Sequence, residues 1–186
     1  MSELPAEAVD PGFARRRRLL YSGVAAAAGL AGAGLAWWRW SAQPESAGAT
    51  AAFWVTRFTS PEGAALPMSA FRGRPLLVNF WVTWCPPCVD ELPMVDAFYR
   101  QKKANGMQVL GIAVDKVDAV QAFLRRTPVS FPIAMAGLPG ADLSRSLGNA
   151  AGGLPYTVVF GSDGVLRHRK IGQLSPADLS RWADVA

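Results

Sequence analysis

Leu76-Leu77-Val78-Asn79-Phe80-Trp81-Val82-Thr83-Trp84-Cys85-Pro86-Pro87-Cys88-Val89-Asp90-Glu91-Leu92 decides the fold. Leu76 to Val82 is a continuous apolar, β-branched and aromatic run, broken only by Asn79, and reads as a strand buried on both faces. A C-x-x-C pair follows at once. Beyond it Val89, Leu92, Val95, Phe98 and Tyr99 recur at offsets of three and four, the spacing of a helix over residues 87–104. Cys85 therefore stands where a buried strand passes into a helix N-terminus.

That position suits redox chemistry. Unpaired backbone N–H groups and the positive end of the helix dipole favour a thiolate, and the thiolate is the attacking species in disulfide exchange. Cys88, one turn further in, lies on the same helix face, where it can resolve a mixed disulfide. Pro86 and Pro87 suit the first turn, lack N–H donors and stiffen the loop. The chain has only two cysteines, both in this motif. Closing so short a loop restrains the unfolded chain very little, so the pair is poorly placed as a structural staple. A zinc site needs four ligands, and His168 is the only other soft one, so no metal site is expected. Two thiolates can hold Cu(I), which leaves a Cu(I)-binding chaperone as an alternative.

Outward from the motif, the chain reads as alternating strands and helices. Residues 53–71 alternate weakly around Pro61-Glu62-Gly63, which suggests a hairpin. Gly106 ends the motif helix, and Met107 to Val114 is a second buried strand. Residues 116–126 place Val117, Val120, Phe123 and Leu124 on one helix face. Phe131 to Met135 is a short strand, and 139–148 a short helix. Tyr156 to Phe160 and Val165 to Ile171 form a hairpin about Ser162-Asp163-Gly164. Ser175 caps a last helix with Pro176 at its first position. The order βαβαβαββα indicates an α/β domain with a mixed central sheet. His168, between Arg167 and Arg169, reads as part of a solvated charge run.

The N-terminal segment has a different character. Four arginines, Arg15 to Arg18, precede twenty uncharged residues from Leu19 to Trp38. Twenty helical residues span a hydrocarbon core of roughly 30 Å. Trp37, Trp38 and Trp40 sit where an interfacial aromatic belt would lie, and the charge asymmetry places the N-terminus inside. The expected organisation is a basic N-terminus over 1–18, a transmembrane signal anchor over 19–40, a linker over 41–52 and a folded domain over 53–186. A cleaved signal peptide, including one of twin-arginine type, is the alternative. The net charge is +5, with fourteen basic and ten acidic residues in 51–186. No basic stripe interleaves with aromatics, so no nucleic-acid partner is expected.

From Gly73 onward the chain resembles the thioredoxin superfamily, and most closely the TlpA/ResA branch of membrane-anchored bacterial thiol–disulfide oxidoreductases. The matching pieces are Gly73-Arg74-Pro75, Asn79-Phe80-Trp81 with Thr83-Trp84-Cys85-Pro86-Pro87-Cys88, and Glu91-Leu92-Pro93. Gly153-Leu154-Pro155 with Tyr156 to Phe160, Asp163-Gly164 and Gly172 follow. The resemblance implies a thioredoxin fold with an N-terminal hairpin extension and an αβ insertion between Asp115 and Ala150. It implies that Cys85 and Cys88 are catalytic, that Pro155 is a cis-proline facing them, and that Leu154 offers backbone to a substrate strand. Trp84, Pro86 and Pro87 complete the implied partner surface. Tyr156 is bulkier than the Thr often found there and is expected to shape the partner groove. Glu91 resembles the acidic residue that assists proton transfer near the second cysteine, although a solvated first-turn glutamate would read the same way. Asn79 replaces the buried Asp of classical thioredoxin. Peroxiredoxin chemistry is not expected, since Val82 stands where that family has a Thr.

The function so implied is a disulfide reductase on the outer face of a bacterial inner membrane. Its partners would be protein thiols and disulfides of the cytochrome c maturation or copper-site assembly type, with an upstream membrane thiol reductant. No cofactor beyond the Cys85–Cys88 pair is expected. A disulfide-donating oxidase uses the same residues and differs in potential.

Overall fold

A computed structural model describes residues 47–183. The segments assigned above to a basic N-terminus and an anchor lie outside the described residues. Among the described residues no helix is long and apolar enough to cross a membrane.

The central strand is β3, Leu76–Trp81, whose six residues are all buried. It pairs in parallel with β4, Gln108–Ala113, and antiparallel with β6, Tyr156–Phe160. Having a neighbour on each edge and helices over the faces, it carries apolar side chains in both directions. The motif helix is α2, Pro86–Lys102, with Cys85 as its N-cap and Pro86 and Pro87 opening the first turn. Gly106, in the left-handed conformation at φ 91°, lets the chain reverse into β4. The implied insertion is α3, Val117–Arg126, followed by β5, Ile133–Met135, which lies parallel to β4. Gly111 of β4 leaves room for the side chain of its cross-strand partner Ile133, because a Cβ would meet Ile133 Cδ1 at 2.6 Å.

The expected N-terminal hairpin is β1, Arg57–Thr59, with β2, Ala65–Pro67. It joins the insertion through Thr59 opposite Met135. α4, Pro139–Ser146, leads to β6, and β7, Leu166–Ile171, pairs antiparallel with β6 at the other sheet edge. The full order is β2-β1-β5-β4-β3-β6-β7. α5, Pro176–Trp182, starts with the expected Ser175 cap: Asp178 N–H donates to Ser175 Oγ, and Ser175 N–H returns a bond to the Asp178 carboxylate.

Three expectations need correction. The stretch read as a linker up to residue 52 is helical from Ala47: α1 runs Ala47–Val55. Its Ala, Gly and Thr composition carries no helical stripe; two aromatics anchor it instead. Phe53 stacks on Phe160 with ring centroids 4.9 Å apart, and Trp54 meets Phe160 edge-on at 5.1 Å. Trp54 Nε1–H donates to the Gly164 carbonyl at 2.9 Å, and the Arg72 guanidinium lies over its ring. Second, His168 is half-buried, its ring stacked on Trp182 at 5.8 Å. Third, Tyr156 is fully buried and its hydroxyl donates to the Leu147 carbonyl at 2.7 Å, so it packs the core instead of shaping a groove.

Phe53→Ala tests whether α1 belongs to the domain. Removing a fully buried phenyl ring should cost about 3–5 kcal/mol in denaturant unfolding. A loss under about 0.5 kcal/mol, as for an ordinary surface position, would show that the helix merely rests on the sheet.

Candidate active site

The site sits at the C-terminal end of β3, where a parallel strand hands the chain to a helix. Thr83 holds the approach. Its N–H and hydroxyl donate to Asp115 Oδ2 at 2.9 and 2.6 Å, and Lys116 N–H donates to Oδ1 at 2.7 Å. Burial opposes the charge on Asp115, but these bonds outweigh it and hold the carboxyl below the usual range. The end of β4 thus pins the loop that presents Trp84 and Cys85. Trp84 is 75% exposed, which excludes core packing as its role.

Both cysteines are free thiols, Cys85 part-exposed and Cys88 buried. The Cys85 carbonyl accepts from Cys88 N–H and Val89 N–H at 3.0 and 3.1 Å, closing the first turn and placing Cys88 directly behind Cys85. Burial pushes the Cys88 thiol well above its ordinary value, and the neighbouring Cys85 and Glu91 push in the same direction. The Leu154–Pro155 peptide is cis, as the resemblance implied. Cys85 Sγ lies 3.8 Å from the Leu154 carbonyl oxygen, within reach of a weak S–H···O contact. Pro155 is buried, whereas Pro86 and Pro87 are exposed on the rim. Cys85, Cys88, Leu154 and Pro155 therefore come together as expected.

Glu91 settles against the solvated reading: it is 1% exposed. Asn79 Nδ2 donates to its Oε1 at 2.7 Å, and Leu174 N–H donates to its Oε2 at 2.6 Å. Burial raises its carboxyl above the usual range, while the bonds from Leu174 and Asn79 and the charge of Lys170 pull the other way. Asn79 also donates to Thr157 Oγ1 at 3.0 Å, and its own Oδ1 is buried with no partner among the described residues. The sequence reading does not name Asn79 and Leu174 as partners of Glu91, nor Thr157 as the partner of Asn79. The signal was present in part, since Asn79 and Thr157 are the polar interruptions of two otherwise apolar strands.

A reachable thiol with a buried thiol behind it, facing a cis-proline loop on this sheet, defines a thiol:disulfide oxidoreductase of thioredoxin-like fold. Residues 49–185 match the Redoxin family, and the chain belongs to it. The thiol-disulfide oxidoreductase ResA of Bacillus thuringiensis subsp. konkukian is 27% identical over 125 residues, covering 67% of this chain and 70% of ResA. A thiol:disulfide interchange protein of the thioredoxin family from Chlorobium tepidum superposes with a TM-score of 0.60 at 26% identity, over 69% of this chain and 90% of that one. A thioredoxin-related protein from Neisseria meningitidis serogroup B gives 0.61 at 29%, over 68% and 95%. The protein is thus a redox enzyme of the TlpA/ResA type, and its partners are protein thiols.

Proposed function

We propose that the protein is a disulfide reductase held on the outer face of a bacterial inner membrane by residues 19–40, with Cys85 as nucleophile and Cys88 as resolving thiol. The Cys85 thiolate attacks a partner disulfide, and one partner sulfur leaves as a thiolate. Cys88, deprotonated by Glu91, then attacks Cys85 Sγ. The partner departs as a dithiol, and a Cys85–Cys88 disulfide carries the two electrons' worth of oxidation. An upstream membrane thiol reductant restores the pair, and no further cofactor enters. The observation that carries this reading is the unequal exposure of the thiols, which supports entry through Cys85 and resolution by Cys88. Leu154 and Pro155 would position the partner strand, with Trp84, Pro86 and Pro87 around it. The resemblance supports partners of the cytochrome c maturation or copper-site assembly type.

The test is the reduction potential of the pair, from equilibration in glutathione or dithiothreitol buffers followed by thiol alkylation. A value near thioredoxin's roughly −270 mV is expected. A value near roughly −120 mV would make the same residues a disulfide donor. A pair that does not cycle reversibly would overturn the redox reading in favour of Cu(I) binding.

A further inference from the structure

Beneath α2 the sheet carries a polar row. Asn79 on β3 lies opposite Thr157 on β6, and Thr157 lies opposite Lys170 on β7. Directly opposed residues share a sheet face, and Asn79 shows which face by bonding Glu91. At the far end of the row the Lys170 ammonium pairs with Asp178 Oδ2. The loop between β7 and α5 joins the two carboxyls through consecutive amides: Leu174 N–H donates to Glu91, and Ser175 N–H donates to Asp178 at 2.8 Å. The Lys170 side chain is 30% exposed and that of Asp178 11%, whereas Glu91 is sealed. An ammonium at the water boundary, paired with Asp178, thus shares a sheet face with the row whose other end bonds the buried Glu91.

We propose that Lys170 and Asp178 are positioning residues acting through Glu91: Lys170 favours its carboxylate, and Asp178, by neutralising Lys170, limits that support. Each element packed against Glu91 contributes a group to this balance. They are Cys88 on its own helix, Asn79 on β3, Thr157 through Asn79 on β6, Lys170 on β7, the Leu174 amide of the loop, and Asp178 of α5 through Lys170. Asn79 and Leu174 donate hydrogen bonds and do not titrate in the working range, so among these groups Lys170 is the source of positive charge. The pull of Lys170 on the Glu91 carboxyl agrees with the row. Depriving Lys170 of Asp178 and removing Lys170 must then act on Glu91 in opposite directions.

This inference rests on the reading of Glu91 as the proton acceptor of Cys88. The test follows the Glu91 carboxyl carbon by NMR titration in the full chain, assigned by its loss in Glu91→Gln. The variants are Lys170→Met, Lys170→Arg and Asp178→Asn. The Asn keeps an acceptor for Ser175 N–H, and Lys170→Gln stands in if Lys170→Met fails to fold. The titration midpoint should move up in Lys170→Met, move down in Asp178→Asn and stay in place in Lys170→Arg. The pH dependence of partner release from the mixed disulfide should move with it. Midpoints that stay fixed, or that shift the same way in both neutralising variants, overturn the proposal. Midpoints that move as stated while the release profile does not would uphold the charge pair and remove Glu91 from proton transfer.

Discussion

Cys88→Ala is expected to accumulate a covalent complex with a disulfide-bearing partner, and Cys85→Ala to form none. The geometry makes the two thiols unequal. Cys85 is part-exposed beside the Leu154 carbonyl, on a surface that an extended partner segment can reach. Cys88 is fully buried, and its thiol is held in the protonated form by burial and by its neighbours Cys85 and Glu91. A partner disulfide therefore meets Cys85 alone. Once the mixed disulfide forms, only Cys88 stands one helical turn behind the bonded sulfur. Its loss stops the reaction after the first exchange, whereas loss of Cys85 removes the first exchange itself. Either variant should reduce turnover to the uncatalysed background. Non-reducing electrophoresis and mass spectrometry with a disulfide-containing peptide read the difference. A covalent complex formed by Cys85→Ala instead would reverse the assigned roles.

Glu91→Gln should slow release of the mixed disulfide by on the order of 10²-fold, while leaving its formation unchanged, if Glu91 takes the Cys88 proton. The same variant should be more stable than the parent at neutral pH. Burial raises the Glu91 carboxyl, so the folded protein keeps this proton to higher pH than the unfolded chain, whose glutamates titrate near 4.3. Stability from Glu91 is thus fully present below that value and is lost as pH rises through the folded value. Glutamine removes that slope. It fits with little rearrangement, because its carbonyl can accept from Leu174 N–H and its amide can meet Asn79 Oδ1 after a flip of the Asn79 side chain. Asp178 gives the contrasting slope: Lys170 and Ser175 hold its carboxyl down to about 2, so its stability is lost only as pH falls from the unfolded range near 3.9 towards that value. Urea unfolding of both proteins from pH 2 to 8 covers the two windows, and only the one above about pH 4.3 should differ between them. Equal stability at neutral pH together with unchanged release kinetics would sink the assignment.

Much of this was legible in the chain because it is written in local period and composition. The run Leu76 to Val82, interrupted only by Asn79, reads as a strand buried on both faces, and all six residues of β3 are buried. The three-and-four spacing after Cys88 was helix, and Ser175-Pro176 was a cap. α1 was not legible, because its residues have no stripe and its helix is held by Phe53 and Trp54 against Phe160, a strand more than a hundred residues away. The burial of Tyr156 is hidden from the sequence for a related reason: period two alternates the faces of a strand, but it does not say which face meets the partner.

The identity of the chemistry belongs to the sequence alone. Two cysteines three residues apart, at the step from a buried strand to a helix, leave few other uses, and the positions of both follow from the periods around them. The tertiary structure decided what surrounds them. Whether Glu91 is solvated or sealed depends on Leu174 and Asn79, 83 and 12 residues from it along the chain, and on Thr157, which holds Asn79 from 78 residues away. A carboxyl's protonation is set by desolvation and by the charges and donors near it in space, and those neighbours come together only when the strands take their register.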